Sequence, residues 1–91
     1  MKVKFFADYR DITRQKETEA AAAPDIRALL GGLGEIYGEP FLNKAMTRDR
    51  SLINDETIIM VNGRNICHLR GMDTPLDAND TVAIFPVVAG G

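Results

Sequence analysis

Thr57-Ile58-Ile59-Met60-Val61, then Asn62-Gly63, then Arg64-Asn65-Ile66-Cys67-His68-Leu69 is the stretch that decides the fold. The first five residues are β-branched and nearly all apolar, the composition that packs best on a pleated surface. Asn-Gly is the usual pair for a two-residue hairpin turn, because both central positions take positive φ. Arg64 to Leu69 is therefore expected to return as an antiparallel strand. Thr81-Val82-Ala83-Ile84-Phe85 reads as the last strand. At the other end, Val3, Phe5 and Ala7 alternate with Lys2, Lys4 and Phe6, a period of two that makes a first strand. Lys16 to Ala20 reads as a short, exposed second strand beside it.

Between these strands the period changes. Ile26, Leu29, Leu30, Leu33, Ile36 and Tyr37 fall at helical spacing and are expected to make one apolar face. Pro24 suits the opening of that helix because its φ is already helical, and Gly38 suits its end. Gly31, Gly32 and Gly34 each cost about 1 kcal/mol relative to Ala inside a helix. Packing must hold this helix together, and its glycines permit close approach to a sheet. Pro40 to Met46 reads as one or two further helical turns, and Gly71 to Asp80 as a turn-rich connection. Asp8 to Thr13 and Thr47 to Glu56 read as polar loops. The order strand, strand, helix, strand, strand, strand predicts an α+β fold with the helix on one face of the sheet.

The chain has 91 residues, 45% hydrophobic and 26% charged, which suits one small domain. A formal net charge of −2 and scattered basic residues give no electrostatic case for nucleic acid or an anionic membrane. No apolar run reaches the ~20 residues of a membrane span. No signal-peptide pattern opens the chain, so the cytoplasm is the expected compartment. One cysteine excludes an internal disulfide.

Most motif-like features have ordinary readings. Gly31-Gly32-Leu33-Gly34 lacks the preceding strand and the following Lys-Ser/Thr of a phosphate loop. Cys67 and His68, adjacent on a strand, would point to opposite faces and could not pair as nucleophile and base. A structural cysteine and a surface histidine are expected. The end of the chain is different. Val88-Ala89-Gly90-Gly91 follows a strand and Pro86 directly. Glycine loses the most entropy on ordering, so a Gly-Gly end does little for a fold. It does suit threading a narrow channel with a carboxylate at its tip.

Two regions together resemble the MoaD/ThiS family of ubiquitin-like sulfur carriers, the small subunit of molybdopterin synthase most of all. One is Phe5-Phe6-Ala7-Asp8-Tyr9-Arg10-Asp11, similar to the family's opening strand, with two aromatics and an alanine leading to an arginine. The other is Val61-Asn62-Gly63, Gly71, Thr74-Pro75-Leu76, Asp80, Val82, Ile84-Phe85-Pro86 and Ala89-Gly90-Gly91. Val87 departs from the second proline common in the molybdopterin branch.

The resemblance implies a ubiquitin-like β-grasp: a mixed sheet of four to five strands with one main helix across one face. It implies a single domain over residues 1–91 with a flexible tail at 87–91. It implies a carrier with no cofactor and no metal of its own, whose catalytic groups lie in its partners. Those partners would be a ubiquitin-activating-type adenylyltransferase, which binds ATP, and a molybdopterin synthase large subunit. Gly91 would be adenylated and converted to a thiocarboxylate. Gly90, Ala89, Val88, Val87 and Pro86 would thread into the partner. Strand alternation puts Ala83 and Phe85 on the open face if Val82 and Ile84 face the helix. By the same resemblance Phe6 and Met60 join Phe85 there, with Arg10 at the edge to meet a partner carboxylate. A protein modifier joined through Gly91, a carrier for thiamine or cysteine synthesis, and a plain interaction domain are the alternatives.

Overall fold

Alternation builds the sheet. The computed structural model describes residues 1–87. In it β1 (Lys2–Phe5), β2 (Glu17–Glu19), β3 (Thr57–Val61), β4 (Arg64–Asn65) and β5 (Thr81–Pro86) form one sheet in the order β2-β1-β5-β3-β4. The central pair, β1 and β5, is parallel, and the other neighbours are antiparallel. This is the mixed α+β sheet that the sequence predicts. Val3, Phe5, Ile59, Val61, Val82 and Ile84 all point to one face and are buried.

α2 (Ile26–Tyr37) covers that face and adds Ile26, Leu29, Leu30 and Leu33 to the same core. Asp25 starts it by accepting the Ala28 N–H at 2.8 Å. Gly38, at φ 80°, ends it and leads into α3 (Glu39–Ala45), with Pro40 in the first turn. Ile36 does not share the apolar face; it is 70% exposed. At about 100° per residue it falls about 20° outside Leu29, at the outer edge of the stripe, where the core no longer covers it. The glycines also behave differently from expectation. A Cβ on Gly34 would stand 2.5 Å from Leu42 Cδ2, so the close approach is to α3, not to the sheet. Gly31 and Gly32 meet nothing within 4 Å.

Two expectations about local structure are corrected. Asp8 to Thr13 is a helix, α1 (Asp8–Thr13), not a loop. Tyr9 holds it from below: the ring is fully buried, 5.8 Å from that of Phe41. The Tyr9 hydroxyl lies 2.6 Å from Thr57 Oγ1, which donates to the Lys44 carbonyl at 3.0 Å. Burial pushes the Tyr9 phenol up to about 12.

The return strand stops after two residues. Asn65 Oδ1 accepts the Cys67 N–H at 3.0 Å and starts a 3₁₀ turn, Ile66–His68. That turn sends Ile66 into the core and leaves Cys67 and His68 exposed. Cys67 is thus a surface thiol, not a structural one.

Candidate functional site

The face of the sheet away from α2 divides into two halves, and strand register decides which residues fall in each. Lys2 and Lys4 stand opposite Glu19 and Glu17 of β2 and beside Thr81 and Ala83 of β5. This half is charged, with Lys2 Nζ 3.6 Å from a Glu17 carboxylate oxygen. Further along β5, Phe85 stands opposite Ile58, and Ala83 opposite Met60. The Phe6 N–H donates to the Ile84 carbonyl at 3.1 Å, carrying the β1–β5 pairing one residue beyond the strand. The outcome is an apolar half at the end of β5 that leads toward the C-terminus.

Phe6 and Phe85 meet edge to face, with ring centres 5.9 Å apart and planes at 84°. Together with Ala7, Met60, Ala83 and Pro86 they line a shallow depression of about 510 Å³. Exposed apolar patches of this kind mark interaction surfaces more often than chance would place them there. Phe6, Met60 and Phe85 are thus brought together on the open face, as the resemblance implies. Ala7 and Ile58 were not singled out from the sequence. Ile58 could have been found from its alternation with Ile59, whereas Met60 comes from the family likeness; the sequence marks Ala7 only as part of the first strand, which ends at Phe5.

Arg10 lies in α1 at the rim of this depression. Its Nε donates to the Phe5 carbonyl at 2.8 Å, and its guanidinium carbon stands 5.3 Å from the Phe6 ring centre. The planar group therefore lies over an aromatic face, an attractive arrangement for a cation. The remaining guanidinium N–H groups suit a carboxylate, since a rigid fork matches its geometry.

Val87 is 48% exposed, and its N–H donates to the Glu56 carbonyl at 2.8 Å. The chain is thus still attached to the segment before β3 at Val87. Val88, Ala89, Gly90 and Gly91 lie outside the described residues.

Among the described residues, no three His, Cys, Asp or Glu side chains stand together as metal ligands. No described helix is long and apolar enough to cross a membrane. Cys67 borders a separate groove with Leu52, Ile53 and Met72, away from the aromatic patch.

A five-stranded mixed sheet holding one helix against one face and showing an apolar patch on the other defines a ubiquitin-like β-grasp protein. The chain belongs to the ThiS family, whose model matches residues 3–91, and so to the ubiquitin-like sulfur carriers. It is 30% identical to small archaeal modifier protein 3 of Haloferax volcanii over 102 residues, covering 100% of this chain and 98% of that one. Among solved structures it is similar to small archaeal modifier protein 1 from Methanosarcina acetivorans, at 29% identity and a TM-score of 0.82, covering 99% of this chain and 94% of that one. It is also similar to a candidate molybdopterin converting factor subunit 1 from Pyrococcus furiosus, at 26% identity and a TM-score of 0.75, covering 96% and 95%. Proteins of this family are small carriers or modifiers, generally not catalysts themselves.

Proposed function

We propose that this chain carries sulfur on its C-terminal glycine and delivers it in molybdopterin formation. The observation that carries the reading is the position of the apolar patch. It sits where β5 runs out toward Val88-Ala89-Gly90-Gly91, so a partner seated on Phe6, Met60 and Phe85 is placed to receive the chain's last residues. Phe85 and Pro86 belong both to the patch and to the strand that feeds the terminus.

The chemistry explains why a carrier needs such a partner. A carboxylate is a poor electrophile. An adenylyltransferase would join the Gly91 carboxylate to AMP from ATP, releasing pyrophosphate and creating a good leaving group. A sulfide-level donor would then displace AMP and leave a thiocarboxylate. That sulfur is a softer nucleophile than oxygen. A synthase large subunit would bind the pterin precursor and accept the loaded terminus in its active site. Two deliveries would build a dithiolene. This chain's own residues supply the reacting terminus, an aromatic anchor and a positioned guanidinium.

A second reading is favoured by a specific observation, the full-length likeness to two small archaeal modifier proteins. A modifier uses the same adenylate, but a lysine amine of another protein takes the acyl group and forms an isopeptide. The two readings thus share activation and differ in the nucleophile. Deleting Gly91 tests what they share. ATP–pyrophosphate exchange by the cognate activating enzyme should be abolished while the circular dichroism spectrum is unchanged. Undiminished exchange would remove both readings. Isopeptide-linked peptides recovered from cells, with no thiocarboxylate form of the free protein, would favour the modifier.

A further inference from the structure

At the end of β3 farthest from the exit of β5, the fold gathers two arginines into one groove. The hairpin turn places the first. Asn62 and Gly63 take φ of 51° and 83°, so Arg64 returns directly opposite Val61. The 3₁₀ turn that follows β4 carries Leu69 and Arg70 to the same place. The Arg70 N–H donates to Thr74 Oγ1 at 3.0 Å, which fixes the chain there. Arg64 and Arg70 thereby line a groove of about 530 Å³ together with apolar Val61, Leu69 and Pro75.

Charge around the groove is one-sided. Residues 62–72 contain Arg64, His68 and Arg70 and no carboxylate, in a chain whose formal net charge is −2. Two neighbouring carboxylates are engaged elsewhere. Asp73 lies 3.2 Å from Arg27, and Asp80 accepts from Asn62 Nδ2 and from the Asp77 N–H, each at 2.8 Å. Among the described residues, neither Arg64 nor Arg70 has a carboxylate oxygen within 4.0 Å. Like charges that share a groove repel, and an acidic ligand relieves the repulsion.

The apolar residues select among acidic ligands. A guanidinium fork matches carboxylate and phosphate alike. Leu69 and Pro75, however, are exposed apolar surface in the same groove. A phosphate backbone would leave that surface uncovered. A peptide with an apolar side chain between two carboxylates meets both kinds of group.

We propose that this groove docks an extended acidic segment of a partner protein, held by Arg64 and Arg70 with an apolar side chain against Leu69. The surface is separate from the aromatic patch. Val61 stands opposite Val82 and Thr57 opposite Pro86, so groove and strand exit lie about 13 Å apart along the sheet. A partner held here leaves the end of β5 uncovered. The proposal does not depend on what happens at Gly91, and it holds for a carrier and a modifier equally.

The test is a titration of the isotope-labelled chain with the peptide acetyl-Glu-Leu-Glu-Leu-Glu-amide, followed by amide chemical shifts. Shifts should concentrate at Arg64, Leu69 and Arg70, with a Kd of roughly 0.1–1 mM, as a small open contact gives. Raising salt from about 0.1 M to about 1 M shortens the Debye length from about 10 Å to about 3 Å and should weaken binding about fivefold or more. Arg64→Glu combined with Arg70→Glu should weaken it about tenfold or more, with the spectrum still that of a folded chain. Leu69→Ser should weaken it about threefold, through lost apolar contact. Absent shifts, or shifts that persist undiminished in the double arginine variant, overturn the proposal. Inorganic tripolyphosphate or an oligothymidylate that binds as tightly as the peptide, with Leu69→Ser without effect, overturns the assignment to an acidic protein segment.

Discussion

Val82 and Ile84 are fully buried, while Ala83 and Phe85, their immediate neighbours on β5, are partly open to solvent. The four residues are all apolar, so composition alone cannot separate them. Their setting does. Val82 and Ile84 meet α2 and the rest of the core. Phe85 meets Phe6 and open space. One side of the strand is needed for the fold. The other keeps apolar area uncovered, which costs solubility and stability unless a partner covers it. The difference teaches that this strand serves two tasks, and that they can be separated by mutation.

The largest expected effect is on the covered side. Ile84→Ala should cost about 2–5 kcal/mol in urea unfolding, because it removes buried methyl groups and leaves a cavity. On the open side, Phe85→Asp loses a partly buried ring contact with Phe6 but leaves no core cavity, so it should cost less than Ile84→Ala, about 1–2 kcal/mol. It should nevertheless weaken binding to the activating enzyme about tenfold or more, the loss expected of an aromatic anchor. Binding can be followed by surface plasmon resonance. A loss of several kcal/mol of stability in Phe85→Asp would place Phe85 in the core and break the comparison.

The same contrast between covered and open recurs on α2. Gly34→Ala forces a Cβ against Leu42, so overpacking of about 1–3 kcal/mol should outweigh the roughly 1 kcal/mol of better helix propensity. Gly32→Ala faces open space and should stabilise by up to about 1 kcal/mol. Thermal unfolding of the two variants checks both signs. Equal effects would mean that α2 and α3 do not approach at Gly34.

A smaller effect concerns the polar link inside the core. Tyr9→Phe removes one buried hydrogen bond, worth about 1 kcal/mol. It should also change the alkaline limb of stability. Burial raises the Tyr9 phenol from 10.0 to about 12, so the folded state holds its proton more tightly than the unfolded chain does. That contribution is complete below pH 10 and is lost as pH climbs toward 12. Wild type should therefore lose stability relative to Tyr9→Phe across that window. Parallel curves would show that Tyr9 is not buried as a neutral phenol.

What the sequence revealed follows from the same physics. β1, β3, β5 and α2 were legible because alternation or helical spacing repeats across their length. So was the grouping of Phe6, Met60 and Phe85, once strand alternation was joined to the family likeness. α1 was not legible. It has six residues, and its anchor is Tyr9, whose partner Thr57 lies 48 residues away. The early end of β4 was hidden for a similar reason. Asn65 capping a 3₁₀ turn overrides the apolar run Ile66-Cys67. The close contact at Gly34 depends on where α3 lies, which no local pattern states.

The carrier account is tested most directly by the intact mass of the protein. The chain would be incubated with its cognate activating enzyme, ATP and a sulfide donor, then weighed and fragmented. The account predicts a gain equal to replacing one oxygen by sulfur, located on Gly91. An unchanged mass, with an enzyme demonstrably active in pyrophosphate exchange on this chain, would contradict it.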